Sequence, residues 1–483
     1  MFVKQSSVKK TKTKGIHSAA IAFSLVISVV LMSAACGRSS AALTNTFQIP
    51  WPDQQGNYQL QPVVLKSFDR PSQLQGRDVK LFVDPYVKNG RLESTQPVGR
   101  FARTDDGVNV PADYLTLQAT VVHAHYERLR QMDEAVGAKV SWPATIGIQA
   151  NVSDGAGPIH NNAIFDARLD ALLVVPYVDK ELPVSMNAGV LAHEHFHKIF
   201  QTAILNRMGE DGTVIGKPNG EKVSDPLGLT ARCDWNHVAG IREVIRMPKI
   251  LGETLEPLEA PSEKDLAQAY NIVFLRALNE GLADYWGWVY TGDANFVAKS
   301  LPQIETVRKL DEPSTGLVSV NAKRATLEKW LKLKLAGDPS GDDVLTALSY
   351  EWGTIYARAL YEATVAAFPE APKKREDRLV MAKAIASALP DFATQAVSSQ
   401  KSGRFLSPNS LFKVLQPRLS GKAKDSCQVL LRLSAVEAFG EPPPFECSNV
   451  KVNPLTAPAL KILKPKPEGP EEEPLKQGEA LTW

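Results

Sequence analysis

The sequence predicts an α+β fold: a mixed, twisted sheet packed on two helices, followed by a mainly helical C-terminal portion. Three observations carry this expectation. Residues 44 to 111 hold short β-like runs such as "QPVVLKSF" and "DVKLFVDPYV", broken by Gly, Pro and Asn. The stretch "NNAIFDARLDALLVVPYV" alternates as a strand–turn–strand and leads straight into a helical pattern. From Glu263 to about Phe439 the apolar spacing is again mostly helical.

Taken in order, the elements are these. The first segment is basic at Lys4, Lys9, Lys10, Lys12 and Lys14, then apolar from Ala19 to Met32, and ends in "LMSAAC". That apolar run is shorter than the roughly 20 residues of a membrane-spanning helix and reads as an export signal. Cys36 after Ser33-Ala34-Ala35 resembles a lipoprotein box, in which the cysteine becomes the lipidated first residue, although Ser33 replaces the usual aliphatic residue. The expected location is the cell envelope, with a lipid anchor in the outer membrane and the chain facing the periplasm or the exterior. A small β-rich region (37–110) follows. The helix "YLTLQATVVHAHYERLRQMDEAVG" comes next, with Gly137 as its stop. His123 and His125 lie two apart on it, cannot share an ion from one face, and read as structural. The strand "KVSWPATIGIQANV" precedes the strand–turn–strand. Residues 111–300 form the expected catalytic domain, 301–450 a helical domain and 451–483 a Pro/Glu-rich disordered tail.

Composition narrows the class. With 44% hydrophobic and 22% charged residues and a net charge of +2, the chain is globular, and no basic cluster argues for nucleic acid. Cys427 and Cys447 are placed to be bridged in an oxidising compartment, which leaves Cys233 as a small buried apolar residue.

The chemistry concentrates in "VLAHEHFHKIF", Val190 to Phe200. At about 100° per residue, His193 and His197 share one helix face, whereas His195 points away. His195 therefore reads as a surface or supporting residue, not a ligand. The remaining pattern is H-E-x-x-H, with Glu194 beside the metal edge as a general base for a water held there. With 8 histidines in 483 residues, an accidental match is expected in about one such chain in a hundred. A metzincin continuation is excluded, because Phe200 and Ala203 occupy the positions of its Gly and third His. The third ligand is expected on "FLRALNEGLADYWGWVY", where Glu280 and Asp284 are i, i+4. Glu280 would bind the metal and Asp284 would orient a ligand histidine. Two imidazoles, one carboxylate and a water suit one Zn²⁺ per chain. Asp234, His237 and Glu243 compete with Glu280, since 82 residues separate it from His197.

His193-Glu194-x-x-His197 with Asn279-Glu280-x-x-x-Asp284 resembles the gluzincin clan of zinc metallopeptidases, which holds the thermolysin-like peptidases and the leukotriene-hydrolase/aminopeptidase group. The resemblance implies a zincin-like sheet, with "NNAIFDARLDALLVVP" as its edge strand and Asn162-Ala163 as the substrate-binding pair, 31 residues before His193. It also implies that "SYEWGTIYARALYE" is similar to the clan's Tyr-x-Lys-Gly helix. That assigns the transition-state tyrosine to Tyr350, with Trp352 in place of the Lys. The likeness covers roughly Pro111 to Ala367. The clan usually has only about twenty residues between the second His and the Glu, so an insertion is implied. The Gly-x-Met-Glu-Asn segment of the aminopeptidases is missing, and "SMNAG" at Ser185–Gly189 is not its equivalent. The expected activity is therefore endoproteolysis of a peptide or protein substrate. Aminopeptidase action and a non-catalytic, zinc-stapled surface lipoprotein are the alternatives.

Overall fold

The computed structural model describes residues 45–53, 56–152, 158–210, 262–317, 326–330, 342–434 and 445–447. The architecture is α+β with mixed sheets and a mainly helical C-terminal part. The strands are β1 (Thr46–Pro52), β2 (Tyr58–Val64), β3 (Val79–Val83), β4 (Tyr86–Lys88), β5 (Arg91–Glu93), β6 (Phe101–Arg103), β7 (Asn109–Pro111), β8 (Ala144–Ile148), β9 (Ala163–Asp166) and β10 (Ala171–Val174). The long helices are α1 (Tyr114–Val136), α2 (Ala188–Phe200), α3 (Glu263–Thr291), α4 (Asp342–Ala367) and α5 (Arg375–Ser402). Cys36, Cys233, Asp234, His237 and Glu243 lie outside the described residues.

Among the described residues, two four-stranded sheets and a two-stranded β4–β5 sheet form. One four-stranded sheet has the order β2-β1-β7-β6. The other, β3-β8-β10-β9, is parallel except for its antiparallel edge strand β9. β3 belongs to the N-terminal portion, so that portion completes the sheet from which β9 meets α2. Alternation within the second sheet divides its side chains: Ile146, Ile148, Leu172 and Val174 join the main core, whereas Ile164, Ala171, Leu173 and Val175 join a smaller cluster. The strand–turn–strand falls where the sequence puts it, as β9 and β10.

α1 begins at Asp113, whose carboxylate accepts from Thr116 N at 2.7 Å, and ends at Gly137 with φ 76°. His123 and His125 are buried on it; His123 Nε2 meets the Leu74 carbonyl at 3.1 Å and His125 Nδ1 the Tyr290 hydroxyl at 2.9 Å. α2 is capped by Asn187, which accepts from Gly189 N and Val190 N. The Asn187 amide also donates to Phe296 O and Ser300 Oγ, fastening the start of α2 to the chain beyond α3. Cys427 and Cys447 form a disulfide with Cα atoms 5.8 Å apart.

Glycines set the separation of the central helices. A Cβ on Gly287 of α3 would lie 2.9 Å from Gly189 O of α2, and 2.4 Å from the Phe296 ring packed beside it. A Cβ on Gly281 would lie 2.1 Å from Gly353 O of α4. α3 is thus pressed between α2 and α4 at spacings that only glycine allows.

Helix propensity alone would make Gly281→Ala stabilising by about 1 kcal/mol. The contact with Gly353 reverses the sign, because overpacking of a close crossing costs about 1–3 kcal/mol. Denaturant unfolding of Gly281→Ala should therefore show a net loss of stability; an unchanged or raised midpoint would contradict the close crossing.

Candidate metal centre

α2 and α3 face each other across the site. His193 and His197 stand one turn apart on α2, with their Nε2 atoms 3.1 Å apart. Glu280 of α3 places Oε2 3.6 Å from His193 Nε2 and Oε1 3.9 Å from His197 Nε2. Among the described residues this is the one group of three His, Cys, Asp or Glu side chains whose ligand atoms converge. Metal–ligand bonds of about 2.0–2.1 Å in a tetrahedron separate donor atoms by about 3.3 Å. The spacings of the triad fit such an ion, and the donor set of two imidazoles and a carboxylate suits zinc chemistry.

Each imidazole is oriented from behind. His193 Nδ1 lies 3.0 Å from Asp284 Oδ1, and His197 Nδ1 lies 2.9 Å from Asn279 Oδ1. With both Nδ1 atoms carrying protons toward these oxygens, both Nε2 atoms face the triad centre, and each would offer its lone pair to a metal once the ring is neutral.

Glu194 is not part of the triad. Its Oε2 accepts from Phe165 N of β9 at 3.0 Å, while Oε1 sits 4.0 Å from His193 Nε2. Val175 N bonds Asn162 O, so by alternation Ile164 and Asp166 face β10, and Ala163 and Phe165 present their backbone groups to the free edge. That edge is where Glu194 docks. Asn162 turns its side-chain oxygen onto the next amide, Ala163 N, at 2.9 Å.

The charges balance inside a buried cluster. Burial pushes the Glu194 carboxyl up to about 7, against the pull of His193. Burial would lower His193, but the carboxylates of Asp284 and Glu280 outweigh it and lift the ring to about 9. Burial takes His197 down to about 4. Glu280 resists the upward push of burial and is held well below its ordinary value by His197 and His193. Asp284 is likewise held low against burial, chiefly by Arg308.

Arg308 is the residue that sequence reasoning missed. It lies on the short helical turn Glu305–Arg308, donates to both oxygens of Asp284 (Nε to Oδ2 at 3.0 Å), and reaches within 3.9 Å of Glu280 Oε2. Its guanidinium also sits 5.5 Å from the ring centroid of Tyr350, which Arg276 approaches at 5.9 Å. Nothing in "ETVRKL" marks this role; only the tertiary fold reveals it. Asn279 was visible as the first letter of the Asn-Glu motif, but its contact with His197 was not. Trp352, two residues beyond Tyr350, is fully buried.

His195 requires a correction. It is not at the surface: it is buried, with Nε2 2.8 Å from Asp133 Oδ2 of α1 and its ring against Trp142 and Tyr126. The helix turns it away from the triad, and α1 covers the face on which it lies.

Comparison with protein-family models, curated proteins and solved structures found no match. Within the described residues, no helix is long and apolar enough to cross a membrane.

The raised His193 value has a measurable consequence. Metal needs the neutral ring, whereas the metal-free ring holds its proton up to about pH 9. Below that pH each bound ion must displace about one proton from His193, so zinc affinity should climb about tenfold per pH unit between pH 7.5 and 8.5, above the range in which Glu194 also titrates. His197, at about 4, is already neutral there and adds nothing. Chelator-competition titrations across this range would check it; a flat affinity would show that His193 is neutral in the metal-free protein.

Proposed function

We propose that the protein is a zinc-dependent peptidase of the gluzincin type, acting outside the cytoplasm as an endopeptidase on extended peptide segments. The observation that carries the reading is Glu194. A purely structural metal site needs His193, His197 and Glu280, but it has no use for a further buried acid held beside the histidine edge by a strand amide.

When bound at the triad, zinc supplies a Lewis acid that polarises a carbonyl and makes water nucleophilic near neutral pH. The chain's own groups do the rest. Glu194, with its carboxyl lifted to about 7, takes the proton of the attacking water and later returns it to the leaving amine. The hydrogen bond from Phe165 N holds one carboxylate oxygen in place, leaving the other on the triad side. Tyr350, beside the Arg308 guanidinium, donates its hydroxyl to the carbonyl oxygen as negative charge develops. β9, the zincin-like edge strand of this reading, receives the peptide by strand addition. Because Phe165 N is engaged by Glu194, the carbonyls of Ala163 and Phe165 are the groups that pair with the substrate.

Export and a lipid anchor at Cys36 complete the proposal. The Cys427–Cys447 disulfide supports the extracytoplasmic setting, since such bonds persist in oxidising compartments. Absence of acyl label on Cys36 in growing cells would remove the anchor.

Glu194→Gln keeps size and shape but loses the basic oxygen. It should retain one zinc per chain and the wild-type fold, and lose at least about 10²- to 10⁴-fold in peptide hydrolysis. Tyr350→Phe should lose about 10²-fold. The assay compares amino-blocked with free peptides, because comparable cleavage of blocked substrates separates endopeptidase from aminopeptidase action. Hydrolysis surviving in Glu194→Gln would overturn the mechanism, and zinc-loaded wild type inert on unfolded proteins would leave the site a structural staple.

A further inference from the structure

About 15 Å along α3 from Glu280, taking ten residues at 1.5 Å each, three arginines lie beside the stretch of α3 that holds Val289 and the buried Tyr290. Arg128 of α1 lies over the ring of Trp51 (5.5 Å) and that of Tyr290 (5.9 Å). Arg375, the first residue of α5, acts together with Arg128 on the Tyr290 hydroxyl. Arg378, one turn further, is buried; its Nε donates to Val289 O at 2.9 Å and its Nη1 to Ala371 O at 2.7 Å.

Among the described residues the cluster has no paired counter-charge. The acceptors of Arg378 are neutral carbonyls, and among the described residues no carboxylate forms an ion pair with any of the three. Glu376, exposed beside them, is the acid whose charge acts on Arg375 and Arg378, and it acts on each more weakly than the neighbouring arginine charges do. Arg375 Nε and Nη2 are shielded from solvent and meet no hydrogen-bond acceptor. Burial and then the neighbouring arginine charges lower both Arg375 and Arg378, the latter to about 10. Shielded guanidinium donors without partners, in a group of mutually repelling cations, are an unfavourable arrangement until an anion joins them.

We infer that Arg128, Arg375 and Arg378 form a binding site for a phosphate group. The planar guanidinium fork matches phosphate oxygens bidentately, and a dianionic, tetrahedral group answers three neighbouring cations better than a single carboxylate would. Arg128, stacked on Trp51, holds its fork without spending its donors on the protein. Arg378 braces α3 to α5 and supplies charge. The same phosphate chemistry can come from a soluble phosphate or from the monoester headgroup of phosphatidic acid, and the site stands independently of the peptidase reading.

The test uses the purified full-length chain carrying Cys36→Ser, so that no acyl anchor obscures membrane binding. Calorimetric titration with inorganic phosphate at fixed ionic strength, with acetate as control, should show saturable binding to phosphate and none to acetate. Arg375→Gln and Arg128→Gln should each weaken it at least about tenfold. Without phosphate Arg375→Gln should unfold at or above the wild-type temperature, because it removes a repelling charge that makes no hydrogen bond to the described residues. A structural role for Arg375 would instead lower that temperature. Flotation with phosphatidylcholine vesicles, with and without about 30% phosphatidic acid, whose headgroup is a phosphate monoester, separates the sources. Flotation on the anionic vesicles alone, competed by phosphate, assigns the headgroup; phosphate binding without flotation assigns a soluble phosphate. If wild type binds neither probe, or both variants bind as wild type does, or acetate binds equally well, the site does not exist.

Discussion

The close packing of α3 between α2 and α4 is the constraint on which the rest of the molecule depends. Gly287 beside Gly189 lets α3 approach the histidine helix, and Gly281 against Gly353 lets α4 approach from the other side. Glu280 sits next to Gly281, so the same crossing that excludes a side chain there brings its carboxylate to His193 and His197. Phe296 fills the space over Gly189 and Gly287, and the Asn187 amide ties the cap of α2 to the Phe296 carbonyl. Position along three helices is thereby fixed by contacts that involve no ligand atom.

A second constraint is electrostatic. Glu280 and Asp284 are both buried, and neither could stay ionised there without nearby positive charge. Arg308 provides it for Asp284 by a two-pronged hydrogen bond, and the protonated His193 contributes the rest. Arg308 therefore belongs to the centre as fully as the ligands do: it keeps Asp284 ionised, and ionised Asp284 determines which nitrogen of His193 faces the triad. Glu194 stands apart from this balance. It is held by a backbone amide and raised by burial, which suits a group that gains and loses a proton.

Much of the centre was legible in the sequence because it depends on helix periodicity. The i, i+4 spacing of His193 and His197, and that of Glu280 and Asp284, survives folding unchanged because each pair rides on one continuous helix. The strand pair β9–β10 was legible from its alternation for the same reason. Contacts made across elements were not. Arg308 sits in a short turn without periodic signal, and the partnership of His195 with Asp133 requires knowing that α1 lies over α2. The surface placement of His195 failed there: a residue turned away from a ligand face is not thereby turned toward water. Part of the 82-residue spacing between His197 and Glu280 is helix that continues from the two motif helices. Residues 198–210 extend the end of α2 and 263–279 form the first half of α3.

The central claim is that His193, His197 and Glu280 hold a single zinc ion. Zinc-edge X-ray absorption on the purified protein tests it most directly, because the method reads ligand type and bond length without reference to activity. The expected shell has two imidazole nitrogens and light oxygen donors at about 2.0–2.1 Å, with the outer-shell scattering of two histidine rings. A sulfur shell at about 2.3 Å, or zinc surrounded by oxygen alone with no imidazole signature, would contradict it.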